Sequence, residues 1–298
     1  MRELKETIRR MVLDEGFVRV RFLAPFEPEQ FFKSDRYDAV IPKNYRQGSP
    51  ALVFAALPYG NCLGKDRQDT SGKVFIAPFA QRNYYCEAVK RLQKIALKLR
   101  CQYEGKKSDY RILCNSPIPE KPPAIACGLG SLGRNSLIIT REAGSLVILA
   151  ALTLPFSLET DMPEAFSPCK RCSPEAPPCA LSCPTGALRG GTLDTELCIQ
   201  WYASGNGDRV PDEVAEKWGN RLYGCTACQD ACIQNMRPIQ GIQTDEGSLP
   251  EYYEIEELLC LSDDALKARF KGTAMGLSWL GPAAIRRNVR LARQYGIH

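Results

Sequence analysis

Histidine is all but missing from this sequence: among 298 residues the one example is His298. A catalytic zinc, a non-haem iron or an imidazole general base ordinarily needs histidine, so chemistry of those kinds is not expected. Long apolar runs are missing too. The greasiest stretch, Ser145 to Phe156, falls short of the ~20 residues that a spanning helix requires. Met1-Arg-Glu-Leu-Lys5 leads into a charged segment with no apolar leader core. The expectation is a cytoplasmic chain without a secretory leader or membrane contact. Tandem repeats and low-complexity segments are also lacking. The net charge of +5 is mild and by itself selects no partner.

Cysteine, in contrast, is plentiful, with 14 residues. In a chain without a leader the thiols stay reduced, so metal binding is the leading reading and disulfides are not.

The first half alternates helical and strand patterns. Leu4, Ile8, Met11 and Val12 are at helical spacing, followed by a strand-like Phe17–Phe22. Ala51–Leu57 predicts a buried strand closed by Pro58-Tyr-Gly60. Tyr85, Val89, Leu92, Ala96 and Leu99 form the apolar stripe of a helix, with Lys90, Arg91, Lys94 and Lys98 on its solvated face. Tyr110–Cys114, Ser136–Thr140 and Ser145–Thr153 supply further strands. The fold class expected is α+β: an α/β domain over 1–158, a small module rich in Cys, Pro and Gly over 159–240, and a helical tail over 241–298. In the tail Ser262 is placed to cap one helix and Pro282 to open the last.

The module reads Cys169-x2-Cys172-x6-Cys179-x3-Cys183-Pro-Thr-Gly-Ala187, a lone Cys198, then Cys225-x2-Cys228-x3-Cys232. Thiolates two residues apart reach adjacent irons of one cube. In two-cluster ferredoxins the fourth cysteine of each run serves the other cluster. By that crossover Cys169, Cys172, Cys179 and Cys232 hold one 4Fe–4S cube, and Cys183, Cys198, Cys225 and Cys228 hold the second. Two four-cysteine zinc sites would use the same thiolates and stay open as the alternative. Cys-Pro-Thr-Gly-Ala and the x3 spacings favour iron–sulfur. The gap from Cys172 to Cys179 is longer than usual, and Cys232 precedes Ile233 where ferredoxins place proline.

Ala126-Cys-Gly-Leu-Gly-Ser-Leu-Gly-Arg-Asn-Ser136 with Gly144-Ser145 resembles the glycine-rich segment of epoxyqueuosine reductases and reductive dehalogenases. Leu197-Cys198-Ile199, Gly219–Cys225, Cys228-Gln-Asp-Ala-Cys232, Phe270-Lys-Gly-Thr-Ala274 and Arg287-Asn288 resemble epoxyqueuosine reductases in the same order. The resemblance implies a nitroreductase-like domain holding cobalamin beside a ferredoxin-like module whose two cubes feed it electrons. It implies a donor such as ferredoxin or flavodoxin, and a small-molecule or tRNA substrate. Gly128, Gly130, Gly133, Arg134, Asn135 and Ser136 become the cofactor-binding candidates. The glycines alone read equally as a turn before the strand at 136.

The sequence also departs from the family. Aligned on Pro117, Glu120 and Lys121, Cys114 occupies the position of the family's proton-donating aspartate. Arg82-Asn-Tyr-Tyr85 lacks the family's histidine, and Ser131 replaces its tryptophan. The tail past Arg290 is short, so no helical-repeat extension is expected. Cys114 and Tyr84 are the catalytic candidates, with Tyr85 beside them for proton donation or cofactor packing, against a plain reading of all three as core residues. The function expected is a reductase. The alternatives are an electron-transfer accessory protein that has lost catalysis, and a zinc-stabilised interaction protein.

Overall fold

The computed structural model describes residues 2–31, 45–60, 71–103, 105–207, 209–236, 249–276 and 280–296. His298 and the module boundary expected at 240 lie outside them.

Helix α1 (Arg2–Asp14) buries Ile8 and Val12, as its 3.6-residue apolar spacing requires. It leads to β1 (Arg19–Leu23), which pairs antiparallel with β2 (Ala51–Pro58). Strand β3 (Lys73–Ile76) and the short helix α2 (Pro78–Gln81) precede the long α3 (Tyr84–Gln102). The Asn83 side chain caps α3 by accepting the Cys86 N–H at 3.0 Å. Next come β4 (Ile112–Leu113), α4 (Lys121–Ala126), the hairpin β5 (Ser131–Leu132) with β6 (Ile138–Ile139), and β7 (Val147–Leu154).

The main sheet runs β1-β2-β7-β4, antiparallel throughout. Strands β2 and β7 are its interior and are covered on both faces, which explains their continuous apolar runs. Period-two alternation then divides β2 between two cores. Val53, Ala55 and Leu57 face α1 and α3 with Ile8, Leu92 and Leu99, while Leu52, Phe54 and Ala56 face Leu113, Ile118 and Ala124. Two strands are shorter than their sequence patterns predict. Ser136 has φ +62° and Asn115 φ +48°, and such left-handed turns cannot belong to a strand.

The cysteine-rich stretch carries only short pieces: α5 (Pro178–Leu181), the ribbon β8 (Leu188–Arg189) with β9 (Thr192–Leu193), α6 (Ile199–Ala203), α7 (Asp212–Ala215), β10 (Arg221–Tyr223) and α8 (Ala227–Asp230). The tail holds β11 (Tyr252–Glu254), α9 (Ile255–Cys260), α10 (Asp263–Phe270) and α11 (Pro282–Tyr295). Ser262 caps α10 by accepting the Ala265 N–H, and Pro282 opens α11.

The division at 158 needs correction. Strand β3 pairs parallel with β10 and antiparallel with β11. Val74, Ile76 and Ala80 therefore enter a separate core with Trp218, Leu222, Phe270 and Val289. The N-terminal half lends a strand to the module, and the tail is part of the module's own core. Among the described residues no helix is long and apolar enough to cross a membrane.

Candidate functional site

The cysteines gather as two quartets. Cys169, Cys172, Cys179 and Cys232 line one cavity together with Arg134 and Asn135. Cys183, Cys198, Cys225 and Cys228 line a second, again with Asn135. The crossing follows from two helices a single turn long. Cys179 lies on α5 and Cys228 on α8, but Cys183 and Cys232 lie beyond those helix ends. Residues four apart on one continued helix would share a face. Here the chain turns first, and Cys232 is extended at ψ 118°. The Ser182 hydroxyl donates to the Ala227 carbonyl at 2.9 Å and ties the two helices together.

Burial raises the thiols of Cys179, Cys198, Cys228 and Cys232, and neighbouring thiolates raise each of them further. Such quartets ionise together only when positive charge is placed among them, which is what a metal cluster supplies. The Arg134 backbone N–H donates to Cys169 Sγ at 3.4 Å, and the Cys225 N–H donates to Gln200 Oε1 at 3.0 Å. Among the described residues no three Cys, His, Asp or Glu side chains come together tightly enough for one metal ion.

Beyond its four thiols the second cavity runs onto Tyr59, Phe79, Tyr85, Leu137, Val147 and Ile148, an apolar and aromatic wall. Behind Tyr85, Cys114 is half-buried and its thiol faces the Tyr85 carbonyl at 3.9 Å. Burial, with the Glu120 charge adding to it, pushes Cys114 up to about 12. Burial also pushes Tyr85 up to about 12, with Tyr223, Cys114 and Glu120 contributing in that order. Glu120 accepts the Ser116 N–H at 3.1 Å, and its carboxyl is raised by burial. The sequence pattern carried no sign of Glu120 as a titrating neighbour of Cys114, because only folding buries it there.

Tyr84 lines a different, charged cavity with Asp14, Glu15, Arg82 and Arg91, and Tyr85 occupies the cysteine-lined one. Adjacent residues at the start of a helix point about 100° apart, and here the two tyrosines line different cavities. The glycines expected to admit a cofactor pack closely on their own chain. A Cβ at Gly128, whose φ is +71°, would lie 2.7 Å from Pro163 Cα. At Gly130 and Gly133 it would lie 2.6 Å from Ile139 O and Asn135 Oδ1 respectively. These glycines seat the hairpin against the cysteine loop. Ser136 is at the turn, where its carbonyl accepts from Lys121 Nζ at 2.7 Å.

A buried polar bridge that the sequence patterns did not signal joins the sheet domain to the cysteines. Gln229 Nε2 donates to Tyr59 Oη at 2.7 Å and to the Ser145 carbonyl at 2.9 Å. Asn235 Oδ1 accepts the Ser145 N–H at 2.8 Å, and its Nδ2 donates to Ser145 Oγ and the Gln229 carbonyl. Several basic residues of the tail and of α3 are engaged within the chain. Arg286 pairs with Asp263, Arg287 donates to the Gly207 and Tyr202 carbonyls, and Lys94 pairs with Glu15.

Residues 168–235 match the family described as a 4Fe-4S double cluster binding domain. The epoxyqueuosine reductase of Staphylococcus aureus is 31% identical over 275 residues, covering 88% of this chain and 68% of that protein. That of Bacillus subtilis is 28% identical across 95% of this chain and 70% of its own length. The Aliivibrio fischeri enzyme is 35% identical, but over 52% of this chain and only 40% of its own length. A solved Bacillus subtilis epoxyqueuosine reductase, described with an aspartate catalytic loop swung out of its active site, superposes with TM-score 0.81. It is 25% identical, with 98% of this chain and 82% of that chain covered. An epoxyqueuosine reductase solved with a modified tRNA stem loop shares the fold at TM-score 0.78 and 24% identity, over 98% of this chain and 81% of that one. On a match that covers 88% of its length, the chain belongs to the epoxyqueuosine reductase family.

Proposed function

We propose that this protein is a cytoplasmic iron–sulfur reductase holding two 4Fe–4S clusters, one on Cys169, Cys172, Cys179 and Cys232 and one on Cys183, Cys198, Cys225 and Cys228. The observation that carries the reading is the gathering of eight thiols into two neighbouring quartets, the second opening onto an apolar aromatic cavity. The match of residues 168–235 to a 4Fe-4S double cluster binding domain favours clusters over zinc. The clusters supply electrons singly from a ferredoxin- or flavodoxin-type donor.

The wall of Tyr59, Phe79, Tyr85, Val147 and Ile148 fits the face of a flat, largely apolar macrocycle, in a domain whose layout we read as nitroreductase-like. When bound there, cobalamin would supply the low-potential metal centre for reducing an unactivated bond. The chain's own part is to exclude water and manage protons. Tyr85 and Cys114 both hold their protons firmly near neutrality, so the weakest grip of the three belongs to the raised Glu120 carboxyl. Cys114 in the aspartate position favours a second reading, an electron carrier without turnover. Epoxyqueuosine in a tRNA stem loop is the first substrate to test, because the relatives are named for the one and a solved neighbour carries the other.

The test uses anaerobically reconstituted protein titrated with cobalamin and then assayed with that stem loop and chemical reductant. Spectral binding with turnover is the expected result. Binding without turnover selects the carrier, and absence of corrinoid binding removes the cobalamin part.

A further inference from the structure

Asn135 lies in the wall that the two cysteine cavities share, lining both. It is 4% exposed, and its Nδ2 has no hydrogen-bond partner among the described residues. The amide cannot simply be turned round. Its Oδ1 accepts the Leu137 N–H at 3.2 Å, and that contact needs the oxygen where it is. Gly133 leaves room for the side chain there, since a Cβ on it would lie 2.6 Å from Oδ1. A buried amide N–H2 held in one orientation is costly to leave unpaired, so a native structure that fixes one is missing an acceptor. The cavities on either side of this residue are each lined by four cysteine sulfurs. The preceding residue already serves one of them, through the Arg134 N–H on Cys169 Sγ.

Building on the two-cluster reading, we propose that Asn135 is a positioning residue whose Nδ2–H donates to a sulfur of one cluster and raises that cluster's reduction potential relative to its neighbour. The physical basis is charge. One-electron reduction makes the cluster more negative, and a fixed N–H donor stabilises the reduced form more than the oxidised form. Because the residue sits between the two centres, the donor sets the energy step from one to the other without touching substrate.

The experiment compares full-length wild type with N135L, purified anaerobically, by iron and sulfide content and EPR-monitored redox titration. The proposal expects full iron in both proteins and one midpoint potential shifted to a more negative value in N135L, the other unmoved. Full iron with both potentials unmoved overturns it. Should N135L lose metal, wild type labelled with 15N in asparagine side-chain amides decides the matter. Pulsed EPR of the reduced protein should show a 15N coupling on a cluster, and its absence overturns the proposal. Wild type without clusters overturns the two-cluster reading itself, and the role of Asn135 falls with it.

Discussion

Cys232 lies two residues past the end of α8, and that displacement sends its thiol to a different cavity from Cys228. The prediction at this scale is a matter of shared loss. C232S and C169S should abolish the same EPR signal, and C228S the other, each with roughly half the iron gone. The crossing was legible in the spacing because x3 runs carry a known geometric consequence. The residues proposed to hold the protons were not. Tyr84 and Tyr85 are equivalent as letters, and only the direction in which α3 starts separates them.

Thiol reactivity gives a second test. Cys86, Cys101 and Cys260 are exposed, whereas burial pushes Cys114 and Cys127 up to about 12. A thiol of that kind is about one part in 10⁵ thiolate at neutral pH, and the thiolate is the nucleophile. Iodoacetamide applied to native protein at neutral pH should label the first three and spare Cys114 and Cys127, as read by peptide mass spectrometry. Rapid labelling of Cys114 would show it to be an activated nucleophile instead.

Asp161 is a third residue whose neighbours set its charge. Burial alone would raise its carboxyl, but Lys5 at 2.7 Å and Arg9 at 3.1 Å outweigh burial and hold it below the ordinary range. The folded chain thus takes up this proton less readily than the unfolded chain. The contribution to stability is complete above the ordinary carboxylate value of ~3.9 and disappears as pH falls through the lower folded value. D161N should cost roughly 2–4 kcal/mol near neutrality by taking the carboxylate from Lys5 and leaving Arg9 with the exposed Glu6, and should flatten the acid limb of a denaturation-against-pH curve.

At the scale of elements, β2, β7 and α3 were readable because long stretches with one clear period leave little choice. Strand β3 was not. It has four residues, and its partners β10 and β11 lie far along the chain, so nothing local announces it. The polar bridge was hidden for a similar reason. Gln229 and Asn235 acquire their meaning only when Ser145 and Tyr59 are folded against them. N235A would strand the buried Ser145 N–H and remove three hydrogen bonds, at a cost of about 2 kcal/mol or more. Chemical denaturation of the anaerobic protein should show the midpoint falling, with the cluster signals lost in the same transition. Loss of the clusters well before the sheet unfolds would show that the bridge does not couple the two.

At the scale of the molecule, two cores are locked through β3 and the Gln229–Asn235 bridge, with both cysteine cavities on the module side and the aromatic wall on the sheet side. The proposed cluster sites and the proposed site of reduction thus share one boundary. The central claim is that the eight thiols hold two cubes, and metal content tests it most directly. Anaerobically purified protein should contain about eight irons and eight acid-labile sulfides per chain and negligible zinc. About two zincs per chain without sulfide would contradict the account.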